Sequence, residues 1–186
     1  MKIKTILSTI LILILPGMFQ LNAQTTGKKI LVAYFSHSGN TRAVAYDICK
    51  KVDGEFFEIK TMIQYPADYN TVVKQAKQEQ KSDYRPELKS KLKDIRQYDV
   101  IFIGFPNWWG TYPQAVKVFL SQYDFSGKTI IPFCTHEGSE LGRSVADLKK
   151  LCPKSHLHEG LAIRGSASHN SDKQINEWLK KLKIIK

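Results

Sequence analysis

The sequence predicts an α/β protein: a doubly wound, five-stranded parallel sheet with helices on both faces. Three observations carry this. Short continuous apolar runs, Lys29 to Phe35 (KILVAYF), Val100 to Gly104 (VIFIG) and Thr129 to Cys134 (TIIPFC), read as strands buried on both faces. Between and after them lie segments whose apolar residues recur at helical spacing. The two patterns alternate along the chain, and right-handed crossovers turn such alternation into a parallel sheet covered by helices.

Taken in order, the first strand ends at Ser36, and Val44, Ala45, Ile48, Cys49 and Val52 form one stripe of a helix over Thr41 to Val52. Gly54 closes that unit, and Phe56, Phe57 and Ile59 suggest the second strand. Within Thr61 to Gln97, the residues Tyr69, Val72, Val73 and Ala76 predict a helix, followed by an irregular surface connection that carries Pro86. After the Val100 strand, Pro113 opens a helix as its first residue, with Ala115, Val116, Phe119, Leu120 and Tyr123 facing inward. Pro132 resists the fourth strand, because it cannot donate to a ladder; it is expected near the strand end or on a bulge. Leu141, Val145, Leu148 and Leu151 then mark a helix, Gly160 to Ile163 a short strand, and Ile175, Trp178, Leu179 and Leu182 the last helix.

The composition, 42% hydrophobic and 24% charged with Gly 11 and Pro 7 in 186 residues, excludes disorder, collagen and multi-span membrane classes. Residues 1–23 read as a secretory signal peptide: Met1-Lys2-Ile3-Lys4, an apolar run from Ile6 to Leu15 too short to span a bilayer, then Leu21-Asn22-Ala23. Neither a twin arginine nor a cysteine near the cleavage point occurs. Taking residues 1–23, with Lys2 and Lys4, from 186 residues and +11 leaves one domain, 24–186, of 163 residues and +9. An exported, periplasmic or extracellular protein is expected. Cys49, Cys134 and Cys152 are too few for a disulfide scaffold and allow at most one internal pair, and no zinc spacing is present.

Open parallel sheets bind ligands beyond the carboxyl ends of their strands, so three loops are the candidates. Ser36-His37-Ser38-Gly39-Asn40-Thr41 leads directly into a helix, and its hydroxyls, glycine and helix N–H groups suit a phosphate, while an ordinary turn capped by Asn40 or Thr41 is the plain alternative. It holds no lysine; neither G-x-x-x-x-G-K-[ST] nor G-x-G-x-x-G occurs, which argues against a nucleoside triphosphatase and a dinucleotide site. Pro106-Asn107-Trp108-Trp109-Gly110 displays two tryptophans that suit a planar ring, with one of them expected to fold back into the core. Thr135-His136-Glu137-Gly138 offers hydroxyl, imidazole and carboxylate, for proton chemistry or, for Glu137 especially, for capping and orienting backbone. A response receiver is excluded by Phe35-Ser36-His37 where acidic residues are needed, and a tyrosine phosphatase by Glu140 in place of the arginine after Cys134.

The motifs Ser-x-Ser-Gly-Asn-Thr, Pro-x-Trp-Trp-Gly-Thr and Thr-His-Glu-Gly-Ser, in this order, closely resemble those of a short-chain flavodoxin, over roughly Lys28 to Lys183. Strand order 2-1-3-4-5 with FMN at the switch between strands one and three is the general rule for flavodoxins, inherited here from the resemblance. The resemblance implies that Ser36, His37, Ser38, Gly39, Asn40 and Thr41 hold the FMN phosphate. Pro106 to Gly110 would line the isoalloxazine, with Trp108 or Trp109 on one face and a backbone group of Gly110 or Asn107 at N5. Thr135, His136, Glu137 and Gly138 would border its pyrimidine side. The tyrosine that flavodoxins often stack from the third loop is missing, so His136 takes its place or the face stays open.

These residues favour an FMN-binding electron-transfer protein. An NAD(P)H-dependent quinone or acceptor oxidoreductase is the alternative, and a non-redox anion-binding module ranks below both. The basic charge does not sit in the phosphate loop, so nucleic acid is not the expected partner; acidic redox proteins, anionic membrane surfaces or a small-molecule acceptor are.

Overall fold

A computed structural model describes residues 27–186; the expected signal peptide, 1–23, lies outside the described residues. The elements run β1 (Ile30–Tyr34), α1 (Asn40–Val52), β2 (Glu55–Glu58), α2 (Tyr69–Ser82), β3 (Val100–Pro106), α3 (Gln114–Gln122), β4 (Thr129–His136), α4 (Ser144–Leu151), β5 (His156–Leu157), β6 (Leu161–Arg164) and α5 (Asp172–Lys181). All strand pairs are parallel, in the order β2-β1-β3-β4, after which β5 and β6 both pair with β4.

The apolar runs are buried on both faces, as their composition demands. Leu31, Ala33, Ile101, Ile103 and Phe105 pack with Ala115, Val116 and Phe119 of α3 and Leu148 of α4. Val32, Tyr34, Phe102 and Phe133 pack on the other side with Val44 and Ile48 of α1 and Ile175, Trp178 and Leu179 of α5. Gly104 in β3 is a packing requirement: a Cβ there would lie 2.1 Å from the Phe133 ring.

The fifth strand is broken. β5 pairs with Thr129 and Ile130, β6 with Phe133 to His136, and the residues between them leave the ladder. Pro132 therefore sits in the middle of β4, in register with Ile103, and not at a strand end. His158 donates to the Ile130 carbonyl, so by strand alternation Pro132 turns the same way, toward the break. Its missing N–H is tolerated because the neighbouring strand has no partner to offer there, and Gly160 lies against its ring. Pro113 also differs from expectation: with ψ 155° it precedes α3 as its cap residue, and the helix begins at Gln114.

Helix α2 forms where predicted, with Asp68 at its N-cap accepting from the Thr71 N–H at 2.8 Å. It buries Val72 and Ala76, yet neither joins the two core clusters. That apolar stripe faces the site instead.

Candidate functional site

The loops after β1, β3 and β4 converge on one cleft of about 750 Å³ at the carboxyl ends of the strands. His37, Ser38, Asn40, Pro106, Asn107, Trp108, Trp109, Thr135, His136, Glu137 and Gly138 all line it. The fourth wall is α2, through Tyr69, Val72, Val73 and Ala76, and Gly165 after β6 closes the floor.

At the first loop the cap differs from both sequence alternatives. Gly39, at φ 96°, is the N-cap of α1, and the Ser36 hydroxyl accepts from the N–H groups of Gly39 and Arg42 at 3.2 and 3.3 Å. The Thr41 hydroxyl is buried and bonds that of Thr135 at 2.8 Å, joining the first loop to the third and facing no ligand. Among the described residues, the N–H groups of Ser38, Asn40 and Thr41 take no protein acceptor. Unspent helix-start donors of this kind are an anion seat. His37 donates from Nε2 to the Pro66 carbonyl at 2.7 Å, so it braces the entry to α2. Asn40 is held by Ser168, whose hydroxyl donates to its Oδ1 at 3.2 Å.

The second loop is a tight two-residue turn. Trp108 and Thr111 exchange backbone bonds of 2.8 and 3.3 Å, and Trp109 and Gly110 both have positive φ, 54° and 85°. Two left-handed residues define the I′ type, which favours Asn-Gly; a tryptophan in the first position is a strained exception. Trp109 is held there from outside: its Nε1 donates to the Val73 carbonyl at 3.0 Å, Arg143 donates to its own carbonyl at 3.2 Å, and the Lys77 ammonium lies 4.6 Å from its ring centre. The residue remains 44% exposed. Trp108 instead packs edge-on against Phe35 and Tyr65, at 5.5 and 5.1 Å, and leans on the core.

Asn107 ties the second loop to the third: its side chain donates to the Glu140 carbonyl at 2.6 Å and accepts from the Gly110 N–H at 2.9 Å. The Gly110 carbonyl accepts from Arg143 N–H at 2.8 Å, an approach that requires Gly142, where a Cβ would meet the Gly110 oxygen at 2.4 Å. Both polar groups of Gly110 are thus engaged by protein. In the third loop the Gly138 N–H donates to His136 Nδ1 at 2.9 Å, so that ring nitrogen serves its own turn. Glu137 reaches across Gly165 beside Asn40; a Cβ on Gly165 would lie 2.2 Å from the Glu137 carboxylate and 2.8 Å from the Asn40 amide. Behind the loop, burial pushes the Cys134 thiol up to about 12, and it donates to the Glu140 carbonyl at 3.2 Å. All three cysteines are free thiols.

Sequence reasoning placed three walls and missed the fourth. The stripe of Val72, Val73 and Ala76 was visible as a helix face, but nothing local distinguishes a face turned to a cleft from one turned to the core. Gly165 and Ser168 act only through residues far away in the chain.

A doubly wound sheet with an anion seat after its first strand and an aromatic turn after its third defines a mononucleotide-binding α/β protein. The chain belongs to the flavodoxin family, whose model matches residues 29–182. It is similar in structure to a candidate flavoprotein of Bacteroides eggerthii, at 34% identity, covering 86% of this chain and 100% of that one with a TM-score of 0.75. A candidate flavoprotein of Bacteroides uniformis is 35% identical over 83% of this chain and 99% of its own, with a TM-score of 0.74. A flavoprotein of Lactobacillus acidophilus, solved in complex with FMN, is 26% identical over 82% of this chain and 99% of its own, with a TM-score of 0.67. No curated protein matches the chain.

Proposed function

We propose that the cleft holds FMN and that the protein passes electrons between redox partners outside the cytoplasm. The observation that carries this is the donor set: three unspent N–H groups with the Ser38 hydroxyl at one end, and an exposed tryptophan face with the apolar stripe of α2 at the other. The first suits a phosphate and the second a planar ring. The Ser36 to Thr41 segment itself carries no carboxylate, and the nearest one the site offers is that of Glu137, beside Asn40.

When bound, FMN supplies the electron-transfer chemistry, and the protein sets its orientation and electrostatics. Ser38, Asn40 and Thr41 would bind the phosphate through backbone N–H, with Ser36 and Gly39 shaping the turn. Trp109, Val72, Val73 and Ala76 would exclude water from the ring, and Thr135 to Gly138 would border its polar side. Since Gly110 is bonded on both sides, the Asn107 carbonyl, which takes no protein donor, would be free to hold a proton-bearing ligand atom.

Titration of the purified chain with FMN, followed by loss of flavin fluorescence, tests the reading: one equivalent bound supports it, and no uptake leaves the non-redox anion module. His136 lines the cleft with its Nδ1 engaged by the Gly138 N–H; direct access by a small acceptor beside it would give the oxidoreductase alternative. Stopped-flow mixing of the FMN-loaded protein with NADH or NADPH separates the two, fast loss of flavin absorbance indicating a reductase and slow loss a carrier. Export rests on the pattern of residues 1–23, and the mature charge of +9 suits acidic redox proteins or anionic membrane surfaces. Fractionation of the source cells with N-terminal sequencing tests it.

A further inference from the structure

On the other side of α2 a second cavity, of about 610 Å³, opens between residues 61–65, the helix and residues 82–87. It shares no lining residue with the three-loop cleft, and its size is that of a small-molecule site. Glu79 lies in its wall, only 7% exposed. The Tyr65 hydroxyl donates to one carboxylate oxygen at 2.7 Å and the Gln75 amide to the other at 2.8 Å. Burial first, and then Glu79 itself, push the Tyr65 pKa upward, so this hydroxyl stays a donor.

Two neutral donors orient the carboxylate without balancing its charge. Among the described residues no cation lies within ion-pair distance of Glu79. The cavity is lined by Glu79 and Glu87 against Lys74, so it is locally acidic in a chain that carries +11. Its rim is apolar: Met62, Ile63 and Tyr84 are 55%, 81% and 50% exposed. A buried charge with unfilled acceptor capacity favours a paired cation over continued isolation. No group of three or more His, Cys, Asp or Glu able to hold a metal ion occurs among the described residues, so an inorganic cation is the poorer fit.

We infer that this cavity binds a small organic monocation, an amidine, guanidine or primary amine on an apolar body, whose charged head meets Glu79 and whose body lies against Met62, Ile63 and Tyr84. The inference stands apart from the FMN reading, since the titration below starts from the chain without added FMN. Calorimetric titration of the full chain with benzamidine, against the neutral near-isostere benzamide, tests it. Benzamidine binds at one site, benzamide at least about tenfold more weakly, and Glu79→Gln weakens benzamidine by about tenfold or more, as loss of a charged hydrogen-bond partner predicts. Excess FMN leaves the benzamidine affinity unchanged. Absence of benzamidine binding, equal binding by Glu79→Gln, or displacement by FMN overturns the inference. Should Glu79→Gln fail to fold, Ile63→Arg decides: it sets a competing guanidinium on an exposed position at the mouth, and benzamidine binding that survives it overturns the assignment.

Discussion

Trp109 carries two loads that a single substitution separates. It is a bulky residue at φ 54° and 44% exposed over the cleft. Replacement by glycine relieves a left-handed penalty of roughly 1–2 kcal/mol. It also loses the bond to the Val73 carbonyl, about 1 kcal/mol, the Lys77 contact, about 0.5–1 kcal/mol, and about 0.5–1 kcal/mol of chain entropy. The roughly 140 Å² of the side chain that is buried is lost as well, about 3.5 kcal/mol, so the net is a destabilisation of about 4–5 kcal/mol, a fall in Tm of roughly 9–18 °C. Binding responds differently. A tryptophan offers up to about 250 Å², so 44% exposure leaves about 110 Å², of which one face is about 55 Å². Covering that face is worth about 1.4 kcal/mol, and stacking adds about 0.5–1.5 kcal/mol. Trp109→Gly is therefore expected to weaken FMN by roughly 30- to 150-fold, while Trp109→Phe recovers most of the loss. The assays are flavin-fluorescence titration and thermal unfolding of the FMN-free protein. An FMN affinity of Trp109→Gly within about threefold of wild type, alongside the expected fall in Tm, would refute the reasoning and make Trp109 a structural residue.

Three further outcomes follow from the geometry. Gly104→Ala places a methyl 2.1 Å from the Phe133 ring and is expected to cost about 1–3 kcal/mol or more, read as a lower urea midpoint at unchanged m, with Phe133→Leu restoring part of it. Thr41→Val strands the buried Thr135 hydroxyl at about 1–3 kcal/mol, whereas Thr41→Val with Thr135→Val loses less than the sum of the two single changes. Burial raises the Glu58 pKa, but Arg42 and Lys60 outweigh it and hold the carboxyl below its ordinary value of 4.5. A depressed folded pKa stabilises above the unfolded value and is lost as pH falls through the folded one. The stability advantage of wild type over Glu58→Gln is therefore expected to be full near neutrality and to shrink as a pH series passes below 4.5.

Most of the sheet was legible because runs such as VIFIG are buried on both faces and show no competing period. The short β5 was not, since two residues, His156 and Leu157, carry no pattern of their own. Within the site, the loops were legible by residue type, but the division of labour inside them was not. Ser36 supplies the cap oxygen that Asn40 or Thr41 was expected to supply, and Thr41 spends its hydroxyl on Thr135. Those choices depend on where β4 brings its end, 94 residues away in the chain. Both tryptophans line the cleft, but the one in the strained turn position is the more exposed, and no local propensity selects it; Val73, Lys77 and Arg143 do.

The break between β5 and β6 also bears on how this chain avoids its own kind. Both margins of the sheet offer unpaired backbone groups that invite a strand from another molecule. At one margin the interrupted ladder presents only two residues and then four, with a gap in the pairing between them. At the other, β2 is four residues long and begins and ends with glutamate. Neither margin gives an incoming strand a long, flat, uncharged template, so intermolecular sheet extension, and the aggregation it seeds, is discouraged at both.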